Sequence, residues 1–119
     1  MLDVKCESNC IAILGGAGFL GSRLIRRFDT SDVTVKVCDI ADNNESRLGY
    51  VKGDICLPET FDVLGHVGTF INLAAVHRDD VRPLSRYDDV NVGGAAAVCD
   101  AARKYDVRKI IFTSSVAIY

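Results

Sequence analysis

The sequence has 119 residues, of which 49% are hydrophobic and 25% charged, which is the size and composition of one globular domain. The formal net charge of -2 provides no basic surface for nucleic acid or an anionic membrane, and no apolar run approaches the ~20 residues that span a bilayer. Residues Met1–Glu7 include acids and lack the apolar segment of a signal peptide, so we expect a cytoplasmic protein.

The first half of the chain alternates between strand and helix patterns. Cys10–Leu14 is an apolar run that ends in glycines, which predicts a buried strand, and Phe19–Phe28 has apolar residues at helical spacing. Val33–Cys38 is β-branched and apolar, which predicts a second strand. Leu48–Lys52 shows a weaker strand pattern.

The second half continues this alternation. Leu57–Leu64 predicts a short helix or turn, and Thr69–Leu73 a fourth strand. A long helix is expected from about Ser85 to Tyr105, followed by a fifth strand at Lys109–Thr113. Strands that are apolar throughout and joined by helices form a parallel sheet covered on both faces. The fold class is therefore α/β, a Rossmann-type doubly wound parallel sheet with strand order 3-2-1-4-5.

The five cysteines do not form a metal-binding pattern. No pair has the C-x2-C spacing of a zinc site, so we predict no metal. Cys38 falls in an apolar strand and Cys99 in a helix, where a thiol acts as a small buried hydrophobe. Cys6 and Cys10 are expected to be more exposed.

The strongest motif is the glycine-rich segment Gly15–Gly21, which follows the first predicted strand and opens the first helix. It contains G-x-G-x-x-G from Gly16 and G-x-x-G-x-x-G from Gly15. Glycines at these positions allow a tight turn and close approach of the backbone to a pyrophosphate, which the helix N-terminus attracts. The alternative is a turn that only packs the helix on the strand. In its strand–turn–helix context the motif predicts a dinucleotide site.

A carboxylate completes the predicted cofactor site. Asp39 ends the second strand, 18 residues after Gly21, close to the ~20-residue spacing of an acid that binds a ribose diol. The carboxylate would repel a 2′-phosphate, and the next residue is Ile40 rather than a basic one. Asp39 on its own could also be a solvated turn residue. Together with the glycines it predicts NAD in preference to NADP.

Further segments extend this pattern along almost the whole chain. They are Gly15-x-x-Gly18-x-x-Gly21, Gly53-Asp54-Ile55, Asn72-Leu73-Ala74-Ala75, Asn91-Val92-x-Gly94 and Thr113–Tyr119. In this combination the sequence resembles the extended short-chain dehydrogenase/reductase family, which includes nucleotide-sugar epimerases and dehydratases. It departs from the family's pattern at Leu14, where a threonine is usual, and at His77, where many epimerases have a lysine.

The resemblance extends the set of expected cofactor contacts beyond the glycine turn and its acid. The predicted cofactor-binding residues are Gly15, Gly18, Phe19, Leu20, Gly21, Asp39, Ile40, Asp54, Ile55, Leu73, Ala74, Ala75, His77 and Asn91. His77 could equally be a half-exposed loop histidine.

The resemblance also identifies Ser115 as the expected catalytic serine, which would hydrogen-bond the substrate oxygen. The alternative is a polar strand end without a catalytic role. The family's Y-x-x-x-K pair would lie beyond Tyr119, which belongs to the V-Y pair and is not the proton-transfer tyrosine. We therefore expect residues 1–119 to be an incomplete NAD-binding domain of a longer protein, truncated after the fifth strand and inactive alone.

The resemblance implies an enzyme that oxidises a sugar hydroxyl of a nucleotide-sugar substrate, with hydride transfer to NAD. Two alternatives stay open: a non-catalytic NAD-binding module, and a ketone or 4-keto-sugar reductase of the same family. A homodimer is expected, because the small residues Gly93–Ala97 allow close helix packing of the kind that relatives use between subunits. The alternative is that these residues only pack the helix against the sheet. A bare fifth strand would also promote association.

Overall fold

A computed structural model of the protein describes residues 9–28, 32–41, 49–74 and 93–113. Five strands and three helices lie within these ranges. They are β1 (Cys10–Leu14), α1 (Phe19–Phe28), β2 (Thr34–Asp39), β3 (Tyr50–Lys52), α2 (Pro58–Leu64), β4 (Thr69–Asn72), α3 (Gly94–Lys104) and β5 (Lys109–Phe112).

The five strands form one sheet in the order β3-β2-β1-β4-β5, and every neighbouring pair is parallel. This confirms the predicted fold class and strand order. In the register, Leu14 is paired with Cys38 on one side and with Asn72 on the other, and Asn72 is paired with Phe112. Four strands therefore end at nearly the same level, and their carboxyl ends form one edge of the sheet.

The predicted elements agree with the observed ones apart from their ends. β1 and α1 have the predicted bounds, whereas β2 starts one residue later than expected and includes Asp39. Residues 85–92 of the predicted long helix lie outside the described residues, and the described part is α3. Asp106 follows with φ 55°, a left-handed conformation that stops the helix.

The core lies between the sheet and helices α2 and α3. The Phe61 ring from α2 packs on the Phe70 ring of β4, with centroids 5.6 Å apart. The buried cluster comprises Cys10, Ala12, Leu14, Cys38, Ile55, Phe61, Leu64, Val67, Phe70, Val98, Ala101 and Ala102. The expected exposure of Cys10 was wrong, because it begins the central strand and is only 1% exposed.

The opposite face of the sheet is contacted by the glycine turn, from which α1 starts. Successive strand residues point to opposite faces, so Ile13 and Val37 meet Gly16 on this side. At β5, the outer strand of the described sheet, Ile111 and Phe112 are exposed by 44% and 46%; the association of copies stays a prediction. Across the described ranges, no helix has the length and apolar character needed to cross a membrane.

Candidate cofactor-binding site

The candidate site lies at the carboxyl edge of the sheet, where the chain direction switches. From β1 the chain leads through α1 to β2 and β3 on one side, and then returns to β4 and β5 on the other. In open α/β sheets such a switch point forms the crevice that binds ligands. Here the loops that follow β1 and β4 meet, because the Leu73 amide donates to the Leu14 carbonyl at 2.7 Å.

The glycine turn is held between β2 and β4 by backbone contacts. Gly15 has φ +84°, and a Cβ at this position would lie 2.7 Å from the Ala74 nitrogen. The Gly15 amide donates to the Cys38 carbonyl at 2.7 Å. At the far end of the turn, a Cβ on Gly21 would lie 2.5 Å from the Gly16 Cα. Gly15 and Gly21 are therefore required by the fold itself.

Gly18 differs from the other glycines of the motif. A Cβ there would meet only the Gly15 carbonyl oxygen, at 3.9 Å, so it would project into open space. The first hydrogen bond of α1 runs from the Ser22 amide to the Gly18 carbonyl at 3.0 Å, so the amides of Phe19 and Leu20 precede the helical ladder. Such amides at a helix N-terminus bind phosphate oxygens. The space beside Gly18 fits a pyrophosphate that approaches the backbone closely.

Asp39 ends β2 beside this turn. Its Oδ2 accepts a hydrogen bond from the Ala17 amide at 2.9 Å, and its Oδ1 accepts one from the Ala41 amide at 3.1 Å. Each carboxylate oxygen has two lone pairs, so both can accept a further hydrogen bond. Ile40, which follows, is 58% exposed. The structure brings the acid and the glycine turn together, and their binding of a cofactor stays a prediction.

Asp54 and Ile55 follow β3 at the same edge. The Asp54 Oδ1 accepts a hydrogen bond from the Cys56 amide at 2.9 Å, and the Asp54 carbonyl accepts one from the Thr60 hydroxyl at 2.8 Å. Ile55 is 5% exposed and belongs to the core. Its predicted cofactor contact would therefore have to be made by the backbone.

Asn72 positions the loop after β4. It is buried, and its Oδ1 accepts a hydrogen bond from the Ala74 amide at 3.0 Å. This bond closes a short side-chain turn of the kind that asparagine favours, and it directs Leu73 and Ala74 along the crevice. Because the backbone of Leu73 and Ala74 lies against Gly15, these two residues of the loop after β4 lie beside the glycine turn.

Four predicted site residues lie outside the described residues. They are the expected cofactor contacts Ala75, His77 and Asn91, and the expected catalytic Ser115. Their roles stay predictions.

The Cys38 carbonyl holds the glycine turn, whereas its thiol lies beneath the site and takes no part in it. Burial, with the nearby carboxylates of Asp39 and Asp54, raises the pKa of the Cys38 thiol to about 12. The thiol is therefore protonated at neutral pH and unreactive, as expected for a small buried hydrophobe.

A separate groove of about 650 Å³ lies between the end of α3 and the start of β5, next to Cys99, Arg103 and Val107. It is at the amino end of β5, on the opposite edge from the glycine turn. Ligands of open α/β sheets bind at the carboxyl ends of the strands. The groove is therefore not the cofactor site.

Two contributors to the site were missed at the sequence level, the Ala17 amide and Tyr50. The Tyr50 hydroxyl donates to the Ala41 carbonyl at 2.6 Å, next to Asp39. The only signal in the sequence was the presence of a tyrosine in a weak strand. A tyrosine that packs in a sheet usually finds a hydrogen-bond partner for its hydroxyl, but the sequence does not say which one. Its partner became evident only from the pairing of β2 with β3.

Comparison with known proteins agrees with this geometry. The N-acetyl-alpha-D-glucosaminyl-diphospho-ditrans,octacis-undecaprenol 4-epimerase of Escherichia coli O157:H7 is 38% identical over 113 residues, covering 92% of this chain and 33% of that protein. The UDP-glucose 4-epimerase of Lacticaseibacillus casei is 28% identical over 123 residues, covering 92% of this chain and 36% of that enzyme.

A crystal structure of a short-chain dehydrogenase/reductase superfamily protein from Agrobacterium tumefaciens with bound NAD superposes with a TM-score of 0.80. It is 26% identical and covers 89% of this chain and 32% of that one. The chain thus spans about a third of the length of the relatives it matches. The sequence also matches the family described as NAD dependent epimerase/dehydratase over residues 11–119. The chain belongs to the NAD dependent epimerase/dehydratase family, whose cofactor is NAD as the sequence predicted.

Proposed function

We propose that this chain is the NAD-binding portion of an enzyme that transiently oxidises a hydroxyl of a nucleotide sugar and returns the hydride after epimerisation or dehydration. The observation that carries the proposal is the pairing of an open glycine turn with an acid. Gly18 leaves space for a pyrophosphate, and the Asp39 carboxylate lies within hydrogen-bond distance of the Ala17 amide in the same turn.

Several of the described residues would contact the cofactor directly. The amides of Phe19 and Leu20 would bind the pyrophosphate, because they precede the helical hydrogen bonds. Asp39 would accept hydrogen bonds from the two hydroxyls of the adenosine ribose, and its negative charge would repel the 2′-phosphate of NADP. The backbone of Leu73 and Ala74 would line the other side of the crevice.

When bound, NAD supplies the hydride acceptor, and the protein supplies position and proton handling. The proposed catalytic Ser115 would hydrogen-bond the reacting oxygen, which orients the substrate for hydride transfer. The two relatives described above are 4-epimerases of sugars that are linked through a diphosphate. This common chemistry supports a glycosyl diphosphate as the substrate class, with a nucleotide sugar as the proposed form.

The test is a calorimetric titration of the protein from the complete gene with NAD and with NADP. We expect clear preference for NAD, and a loss of NAD affinity of roughly tenfold or more in Asp39→Ala, since hydrogen bonds to a charged group contribute about 1.5–3 kcal/mol. Asp100→Ala removes an exposed carboxylate on α3 and is the matched control for charge.

Incubation with UDP-glucose, UDP-N-acetylglucosamine and a lipid-linked sugar diphosphate then identifies the substrate form by product chromatography. A protein that binds neither dinucleotide overturns the proposal. One that binds NAD but converts no sugar diphosphate supports the non-catalytic module instead, and one that only reduces a keto-sugar supports the reductase.

A further inference from the structure

The segment that follows β2 is fixed by a chain of hydrogen bonds that begins at Tyr50 and ends at the glycine turn. The Tyr50 hydroxyl donates to the Ala41 carbonyl at 2.6 Å, and the Ala41 amide donates to the Asp39 Oδ1 at 3.1 Å. On the other side, the Ala17 amide donates to the Asp39 Oδ2 at 2.9 Å. The carboxylate is therefore held from two directions.

The backbone of Asp39 is fixed as well. Its carbonyl accepts a hydrogen bond from the Gly53 amide at 2.9 Å, which joins the ends of β2 and β3. Tyr50 itself lies in β3, in register with Val37 of β2, and is half-buried. A rigid strand thus presents the hydroxyl to the Ala41 carbonyl.

We propose that Tyr50 is a positioning residue for the adenosine ribose of the cofactor, acting through Ala41 on the Asp39 carboxylate. This inference rests on the proposed NAD-binding function. With both carboxylate oxygens already aligned, the ribose hydroxyls meet acceptors that need little ordering when the ligand binds. Ordering a site in advance increases affinity because less conformational entropy is lost on binding.

The inference differs from a purely structural role of Tyr50 in one measurable respect. A hydroxyl that only supports the fold would affect every ligand of the crevice equally. A hydroxyl that aligns Asp39 affects ligands that carry ribose hydroxyls and leaves the others almost unchanged. ADP and 2′,3′-dideoxy-ADP form a suitable pair, because they share the base and pyrophosphate and differ only in these two hydroxyls.

The experiment measures the affinities of both nucleotides for the wild-type protein, Tyr50→Phe and Tyr105→Phe, using the protein from the complete gene. Tyr50→Phe keeps the ring in place and removes only the donor. Tyr105→Phe is the matched control, because its hydroxyl donates to Asp62, between α2 and α3 and away from the site. Hydrogen exchange of the Ala41 and Ala17 amides without ligand is the second measurement.

We expect the wild type and Tyr105→Phe to bind ADP more tightly than dideoxy-ADP. In Tyr50→Phe this preference should shrink by roughly two- to tenfold, the effect of one hydrogen bond, with faster exchange at Ala41. Equal losses for both nucleotides, or an unchanged preference, overturn the inference while the proposed function stands. A wild type that binds neither nucleotide, or binds both equally, instead overturns the proposed role of Asp39.

Discussion

Replacing single glycines of the turn by alanine should separate the requirements of the fold from those of the cofactor. At Gly15 an alanine Cβ would lie 2.7 Å from the Ala74 nitrogen, 2.8 Å from its Cα and 2.9 Å from the Leu73 carbonyl carbon. These are backbone atoms of the loop after β4, so they cannot rotate away.

The cost at Gly15 has two parts. The left-handed backbone at φ +84° costs an alanine about 1–2 kcal/mol, and overpacking adds about 1–3 kcal/mol. The free energy of unfolding should therefore fall by roughly 2–5 kcal/mol. At Gly18 the nearest atom is 3.9 Å from the new Cβ, so the change in stability should stay within about 1 kcal/mol.

The cofactor should respond to the two substitutions differently. The Cβ of Gly18→Ala enters the space that we assign to the pyrophosphate, so NAD affinity should fall by roughly tenfold or more as charge-assisted hydrogen bonds are lost. Urea unfolding without ligand measures stability, and calorimetry measures NAD binding. The reasoning is refuted if Gly18→Ala binds NAD as tightly as the wild type, or if Gly15→Ala is as stable as the wild type.

Three further predictions concern fold stability and thiol reactivity. The Lys36 ammonium donates to the carbonyl of Leu64, the last residue of α2, at 2.7 Å. Lys36→Met should therefore lower the free energy of unfolding by about 1–2 kcal/mol, measured as a lower midpoint in urea unfolding. Hydrogen bonds from the Tyr105 hydroxyl, which has the larger effect, and from the Lys104 ammonium lower the pKa of the Asp62 carboxyl. Stability from this carboxylate is present above its unfolded pKa and lost as pH falls through the folded pKa, so urea midpoints should decline less from pH 7 to pH 3 in Asp62→Asn. Because burial, with two nearby carboxylates, raises the pKa of Cys38 to about 12, iodoacetamide at pH 8 should label half-buried Cys99 before Cys38, as read by peptide mass spectrometry.

Each of these has a control or a contradicting result. Lys109→Met removes an exposed lysine at the edge strand and should leave the midpoint unchanged. Identical acid profiles of the wild type and Asp62→Asn would show that the carboxylate contributes nothing to pH-dependent stability. Labelling of Cys38 in the folded protein at the rate found in urea would contradict its burial.

Local patterns in the sequence determined the architecture. Apolar runs such as Cys10–Leu14 and the helical spacing of Phe19–Phe28 depend on neighbours along the chain, and so both elements have the predicted bounds. The glycine turn and Asp39 were also found in this way, because their spacing reflects the length of one β-α-β unit.

Only the tertiary structure decided what each glycine does. Gly15 and Gly18 are the same residue type in the same motif. A Cβ added at Gly15 would meet the backbone of Ala74, whereas one added at Gly18 would project into open space. This difference arises where the loop after β4 meets the turn after β1, between residues far apart in the chain.

The same reason explains one wrong expectation, the exposure of Cys10, and one contributor to the candidate site that was missed, Tyr50. Cys10 was expected to be more exposed, but it begins the central strand and its side chain belongs to the buried core cluster. Tyr50 was an unremarked residue of a weak strand, and its hydroxyl reaches the Asp39 turn only because β3 pairs with β2. Chemistry that depends on residue type and spacing can be read from the sequence, whereas contacts between strands exist only once the sheet has formed.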